Sequence, residues 1–150
     1  MRLSEPIDSR GESNLFCISN THGIAVAATT QGISAYSLEG LRKTFADAER
    51  NSHPQAKPIG TFEGVRAQFL GFVDNESHLV CVSQEGKLLL FPTENLNGAV
   101  PPPRVLSPPA EFSSVHALAP NTGEHSELCL VVLGSGSKSA GGTAYIVDIH

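Results

Sequence analysis

The sequence predicts an all-β fold, a partial β-propeller of about three blades, on three observations. "GIAVAATTQG" (23–32) and "SHLVCVSQEG" (77–86) superpose without a gap at an offset of 54 residues, Val26 falling on Val80 and Gly32 on Gly86. Apolar residues come in short runs rich in Val, Leu, Ile and Phe, separated by Asn, Asp, Gly and Ser, the punctuation of strands and tight turns. Helical periodicity is weak except over Leu38–Arg50, where Leu41, Phe45 and Ala48 recur three or four apart and predict one short helix.

The apolar runs place strands near Leu15–Ser19, Ile24–Thr29 and Ile33–Leu38, then Ala67–Val73, His78–Ser83 and Lys87–Phe91, then Val115–Ala119, Glu127–Leu133 and Thr143–Ile149. They fall into triplets joined by turns at Asn20–Gly23 and Gln31–Gly32, at Asp74–Ser77 and Glu85–Gly86, and at Asn121–His125 and "GSGSKSAGG" (134–142). Tyr36 to Leu90 is 54 residues and Leu90 to Tyr145 is 55, the near-constant period of a repeated unit. Between triplets lie "ERNSHPQAKPIGTFEG" and "NGAVPPPRVLSPPAEF", each with room for one exposed edge strand in which Pro discourages pairing with other chains.

An antiparallel sheet repeated at this spacing marks propeller blades, whose inner strands are apolar because neighbouring blades sandwich them. A β-sandwich also uses short strands at regular spacing, but it has no need of a self-match at a fixed period. The expected division is an N-terminal extension (1–13), blade one with a variable outer strand (14–64), blade two with a Pro-rich outer segment (65–111) and an incomplete blade three (112–150). Closed propellers have four to eight blades, so the chain is expected to be an N-terminal piece, a truncated gene product or a short form.

Composition narrows the chemistry. Fifteen acidic against ten basic residues leave a formal net charge of −5, and the basic residues do not cluster, so nucleic-acid phosphate is not expected as a direct partner. The run "LCLVVLG" (128–134) is far short of a membrane helix, and "MRLSEPIDSRGES" lacks the apolar stretch of a secretory leader, so neither insertion nor secretion is expected. Cys17, Cys81 and Cys129 sit in separate apolar runs without a C-x-x-C pair and read as reduced core residues. In "GSGSKSAGG", Ser137 precedes Lys138 where a phosphate-binding loop needs Gly, and Ser139 stands where a dinucleotide fingerprint needs its third Gly. His22, His53, His78, His116, His125 and His150 show no metal-ligand spacing, and no G-x-S-x-G elbow exists. The expectation is a protein without catalytic, cofactor or metal site.

What remains is charge placement. In an antiparallel sheet, connections from first to second strand and from third to fourth share one face. That face receives Glu39, Asp74, Glu76, Glu94 and Glu124, while Glu85 falls on the other. These five are the candidate partner-binding residues, an acidic rim suited to a basic protein, with Arg42, Lys43 and Arg104 as partial offsets.

"NLFCISNTHGIAVAATTQGISAYSLEGLR" (14–42) closely resembles the opening blade of the N-terminal propeller of the cytoplasmic-face nucleoporin that docks the DEAD-box mRNA-export helicase in fungi and animals. Ser19, Asn20, Gly23 and Gly32 hold the punctuating positions, and Leu41 the exit. "RAQFLGFVDNESHLVCVSQEGKLLLFPTENL" (66–96) is similar to that family's second-blade run, ending in an acidic-Asx-Leu exit. The third triplet agrees in pattern only. The resemblance implies a non-enzymatic docking platform at the nuclear pore complex, on its cytoplasmic face, with a DEAD-box RNA helicase and other nucleoporins as partners. The family's ring has seven blades, followed by Phe-Gly repeats and a coiled coil that are absent here. The alternative is a general WD40-like scaffold propeller serving another complex.

Overall fold

Short apolar runs between turn residues become strands throughout the computed structural model, which describes residues 2–3, 15–48, 55–106, 112–121, 123–135 and 143–150. In chain order these are β1 (Arg2–Leu3), β2 (Phe16–Ser19), β3 (Ile24–Ala28), β4 (Gly32–Ser37), α1 (Leu38–Ala48), β5 (Gln55–Ala56), β6 (Gly60–Glu63), β7 (Ala67–Val73), β8 (His78–Ser83) and β9 (Leu88–Pro92). A 3-10 turn (Thr93–Asn95) leads to β10 (Gly98–Ala99), β11 (Arg104–Leu106), β12 (Phe112–Pro120), β13 (Leu128–Ser135) and β14 (Thr143–Asp148). The fold is the expected all-β partial propeller: a first sheet ordered β10-β6-β4-β3-β2, a second ordered β11-β9-β8-β7 and a third ordered β12-β13-β14. A short parallel pair, β1 with β5, forms a separate two-stranded sheet. Among the described residues no helix is long and apolar enough to cross a membrane.

The 54-residue match is a match of faces. Side chains alternate along a strand, and β3 sends Ile24, Val26 and Ala28 into the core between the first and second sheets. One unit later β8 sends Val80 and Val82 toward the third sheet, where they pack with Val73, Leu88, Leu90 and Ile149. Its other face, Leu79 and Cys81, returns to the first core. Val26 and Val80 thus do the same work in successive units, at 0 % and 3 % exposure. The glycines aligned with them do not. Gly86 sits in the β8-β9 turn with φ +82°, whereas Gly32 opens β4 so tightly against the Phe62 carbonyl of β6 that a Cβ would collide with it. The two hairpins also differ by one residue, since Val26 pairs with Ala35 and Val80 with Leu90.

Both expected outer strands form inside the Pro-containing stretches, β6 against β4 and β11 against β9. The helix also forms, over Leu38–Ala48. The Ser37 hydroxyl caps it by accepting the Gly40 amide at 3.2 Å. Leu41 rests on Ala27, Tyr36 and Ala56, while Phe45 stays 65 % exposed.

A connection not visible in the strand pattern ties the first two sheets. After β9 the chain leaves the second sheet, and Gly98 and Ala99 pair in parallel with Gly60 and Thr61 at the outer edge of the first. The Gly98 amide bonds the Ile59 carbonyl at 2.7 Å. On the way, Leu96 is driven into the core between the sheets at 2 % exposure. A Cβ on Gly60 would stand 2.6 Å from the Leu96 carbonyl oxygen, a backbone atom that cannot swing aside. Gly60→Ala is therefore expected to destabilise by about 1–3 kcal/mol through overpacking, and Leu96→Ala by about 2–5 kcal/mol through the cavity it leaves. Urea unfolding checks both, and a neutral Gly60→Ala would show that the connection is not held this closely.

Candidate functional site

At one end of the strands the first turns of the three sheets lie side by side: Asn20–Gly23 between β2 and β3, Asp74–Ser77 between β7 and β8, and residues 123–127 between β12 and β13. Asp74, Asn75 and Glu76 all hold left-handed backbone, with φ of +52°, +49° and +66°. For residues with a Cβ that conformation costs roughly 1–2 kcal/mol each, so the turn needs compensation, and its side chains supply it across both flanking seams.

Toward the first sheet, the Glu76 Oε2 accepts the Ser19 hydroxyl at 2.9 Å and the Thr21 amide at 3.1 Å. Ser19 is fully buried at the end of β2, and its oxygen also accepts the His22 amide at 3.1 Å. Toward the third sheet, the Asp74 Oδ1 accepts the Ser126 hydroxyl at 2.7 Å, and Ser126 in turn accepts the Asn75 amide nitrogen at 3.0 Å. The other Asp74 oxygen accepts the Ser77 hydroxyl at 2.8 Å and lies 3.1 Å from His150 Nε2 and 3.7 Å from His78 Nδ1. The two imidazoles meet edge to face at 5.9 Å. Arg104 of β11 bonds the carbonyls of Ile149 and His150, which fixes the exit of β14 against the second sheet. The 3-10 turn closes the group from behind: Thr93 donates its hydroxyl to the Glu76 carbonyl at 2.6 Å and its amide to the Ser77 carbonyl at 2.8 Å.

These bonds set the charges. The Ser126 and Ser77 hydroxyls hold the Asp74 carboxyl below its ordinary value, and the bonds from Thr21 and Ser19 do the same for Glu76. Burial pushes His78 down against the opposing pull of Asp74, so this imidazole is neutral at neutral pH. Burial likewise pushes the Cys17 and Cys81 thiols up to about 12, which leaves both as inert core groups.

The five acids chosen from sequence therefore differ in kind. Asp74 and Glu76 are tied inward. Glu39 is exposed in the first turn of α1 and paired with Lys43 at 2.9 Å, and α1 begins beside the first turn through the bond from the Leu38 amide to the Gly23 carbonyl. Glu94 is exposed in the 3-10 turn next to Thr93, and Glu124 is exposed in the third turn. All five lie at the same end of the strands. Glu85 lies at the other end, on a cleft of about 620 Å³ whose wall includes Phe62, Val65, Leu89 and Val105. Thr21 and Ser126 are not singled out from sequence, where Ser19 reads only as a punctuating residue and His150 only as a scattered histidine; the hint lies in a Ser that borders the first and third turns as well as the second. Among the described residues no group of three or more His, Cys, Asp or Glu side chains is placed to hold a metal ion.

The chain matches the family described as NUP159/214 beta propeller over residues 10–139. No curated protein matches the chain.

Because both carboxylates are held below their ordinary values, they stabilise the fold above the pH at which the unfolded chain's carboxyls titrate, near 4, and that stability is lost as pH falls through the lower folded values. His78 adds a loss that begins below its ordinary value of 6.5. Asp74→Ala and Glu76→Ala are each expected to cost about 1–3 kcal/mol at neutral pH by taking the carboxylate acceptor from the buried Ser126 and Ser19 hydroxyls, and to flatten the acid limb. Urea midpoints between pH 7 and 3 check this, and variants whose acid limb parallels the parent's would contradict it.

Proposed function

The chain belongs to the NUP159/214 beta propeller family, and from that membership we propose a non-enzymatic docking platform of the nuclear pore complex that binds a DEAD-box RNA helicase in mRNA export. As a nucleoporin propeller it serves the pore through protein-protein contacts. The finer reading puts it at the cytoplasmic face, beside other nucleoporins, with blades at 14–64, 65–111 and 112–150 after a leading segment 1–13. The family match carries the pore assignment. The helicase is supported by the resemblance over residues 14–96 and by an acidic face on a chain of net charge −5.

On this reading the acids offered to the partner are the exposed ones. Glu39, Glu94 and Glu124 are exposed, whereas Asp74 and Glu76 hold the seams, so reversing the latter pair would disturb folding and binding together. Rim charges act mainly by steering encounter, each exposed pair contributing only about 0.2–1 kcal/mol and weakening with salt.

The triple change Glu39→Lys, Glu94→Lys and Glu124→Lys is expected to slow association with a DEAD-box helicase roughly tenfold at low ionic strength, with a smaller change in dissociation. Glu85→Lys, at the other end of the strands, should leave both rates near the parent's. Surface plasmon resonance at low and physiological salt reads the outcome. Equal effects from the two ends, or no salt dependence, would move the docking surface elsewhere, and no binding by the parent protein would overturn the helicase assignment.

A further inference from the structure

Three consecutive non-glycine residues with left-handed backbone amount to nearly one turn of left-handed helix, in which each Cβ crowds the carbonyl that follows. Such a conformation persists only where its surroundings over-determine it. Here the surroundings are two separate sheets, besides the 3-10 turn behind, whose Thr93 bonds the Glu76 and Ser77 carbonyls. Ser19 and Thr21 of the first hold Glu76, Ser126 of the third holds Asp74 and Asn75, and among the described residues no hydrogen bond joins the first turn directly to the third. Both sets of bonds depend on one variable, the hand of the backbone at 74–76. The Ser77 amide bonding the Asp74 carbonyl at 2.9 Å makes the three residues move as one.

We propose that residues 74–76 form a two-state relay that couples the third sheet to the first. With both neighbours in place the turn is left-handed and its carboxylates point into the seams. When either neighbour withdraws its bonds, the strained backbone relaxes to the right-handed region, both carboxylates leave the seams, and the bonds on the far side are lost as well. The coupling needs no strand to shift. It meets the physical condition for communication between sites, an element with two arrangements that both sides bias. The released carboxylates would join Glu39, Glu94 and Glu124 on the exposed face, so a basic partner would favour the released turn. That consequence rests on the docking reading above; the relay does not.

The test is amide hydrogen exchange by NMR on the full chain without any partner, so that its failure and that of the docking reading are separate. Ser126→Ala removes a hydroxyl from the third turn and is expected to speed exchange of the Thr21 amide, in the first turn, roughly tenfold. Adding Asn75→Gly, which adopts left-handed backbone without a steric penalty, should restore most of the Thr21 protection although Ser126 is still missing. Thr21 exchange within about twofold of the parent's in Ser126→Ala would overturn the relay. So would a failure of Asn75→Gly to restore protection, because the coupling would then not pass through the hand of the turn. If Ser126→Ala does not fold, Ser126→Cys, which keeps the volume and weakens the bond, is read by the same two outcomes.

Discussion

A strand buried on both faces needs a packed layer on each side, and β8 is such a strand. Leu79 and Cys81 enter one core, Val80 and Val82 the other, all at 3 % exposure or less. An antiparallel sheet with one wet face would instead alternate apolar and polar residues. The near-continuous "HLVCV" of β8 therefore requires sheets stacked face to face. The second sheet becomes a partition with the first sheet on one side and the third on the other. The alternation of β3 follows the same rule, with Val26 facing the second sheet and Ala27 turned to the patch under α1.

Apolar faces alone fix neither the angle between stacked sheets nor their register, because hydrophobic contact is non-directional. The directional bonds lie at the edges of the stack. At the outer edge β10 leaves the second sheet to pair with β6 of the first, and Leu96 is buried by that crossing. At the end of the strands the second turn reaches both neighbours through Glu76 and Asp74. Among the described residues every buried side-chain nitrogen and oxygen has a hydrogen-bond partner, so the buried polar groups at this end are satisfied by the chain itself, the neighbouring sheets included. Charge is used here to align units, which separates these two acids from the exposed acids around them.

Much of this was legible in the sequence because it depends on period. The 54-residue self-match located β3 and β8 with the correct faces, the i, i+3, i+4 spacing of Leu41, Phe45 and Ala48 located α1, and the Pro-containing gaps located β6 and β11. What depends on contact was not legible. Asp74-Asn75-Glu76 contains no glycine to signal left-handed backbone, and neither carboxylate declares from sequence that its partner is a serine 57 or 52 residues away. Gly32 and Gly86 look equivalent because only their spacing can be read, yet one is required by a close backbone approach and the other by a positive φ. A two-residue parallel strand such as β10 leaves no periodic trace.

The Glu76-Ser19 bond is the direct tie between the second turn and the first sheet, and a double-mutant cycle isolates it. Ser19→Ala, Glu76→Ala and the double variant, unfolded in urea at neutral pH, are predicted to show a coupling energy of about 1 kcal/mol or more, as expected for residues in contact. Additive effects, within about 0.3 kcal/mol, would contradict the claim that the second turn holds the first sheet in place.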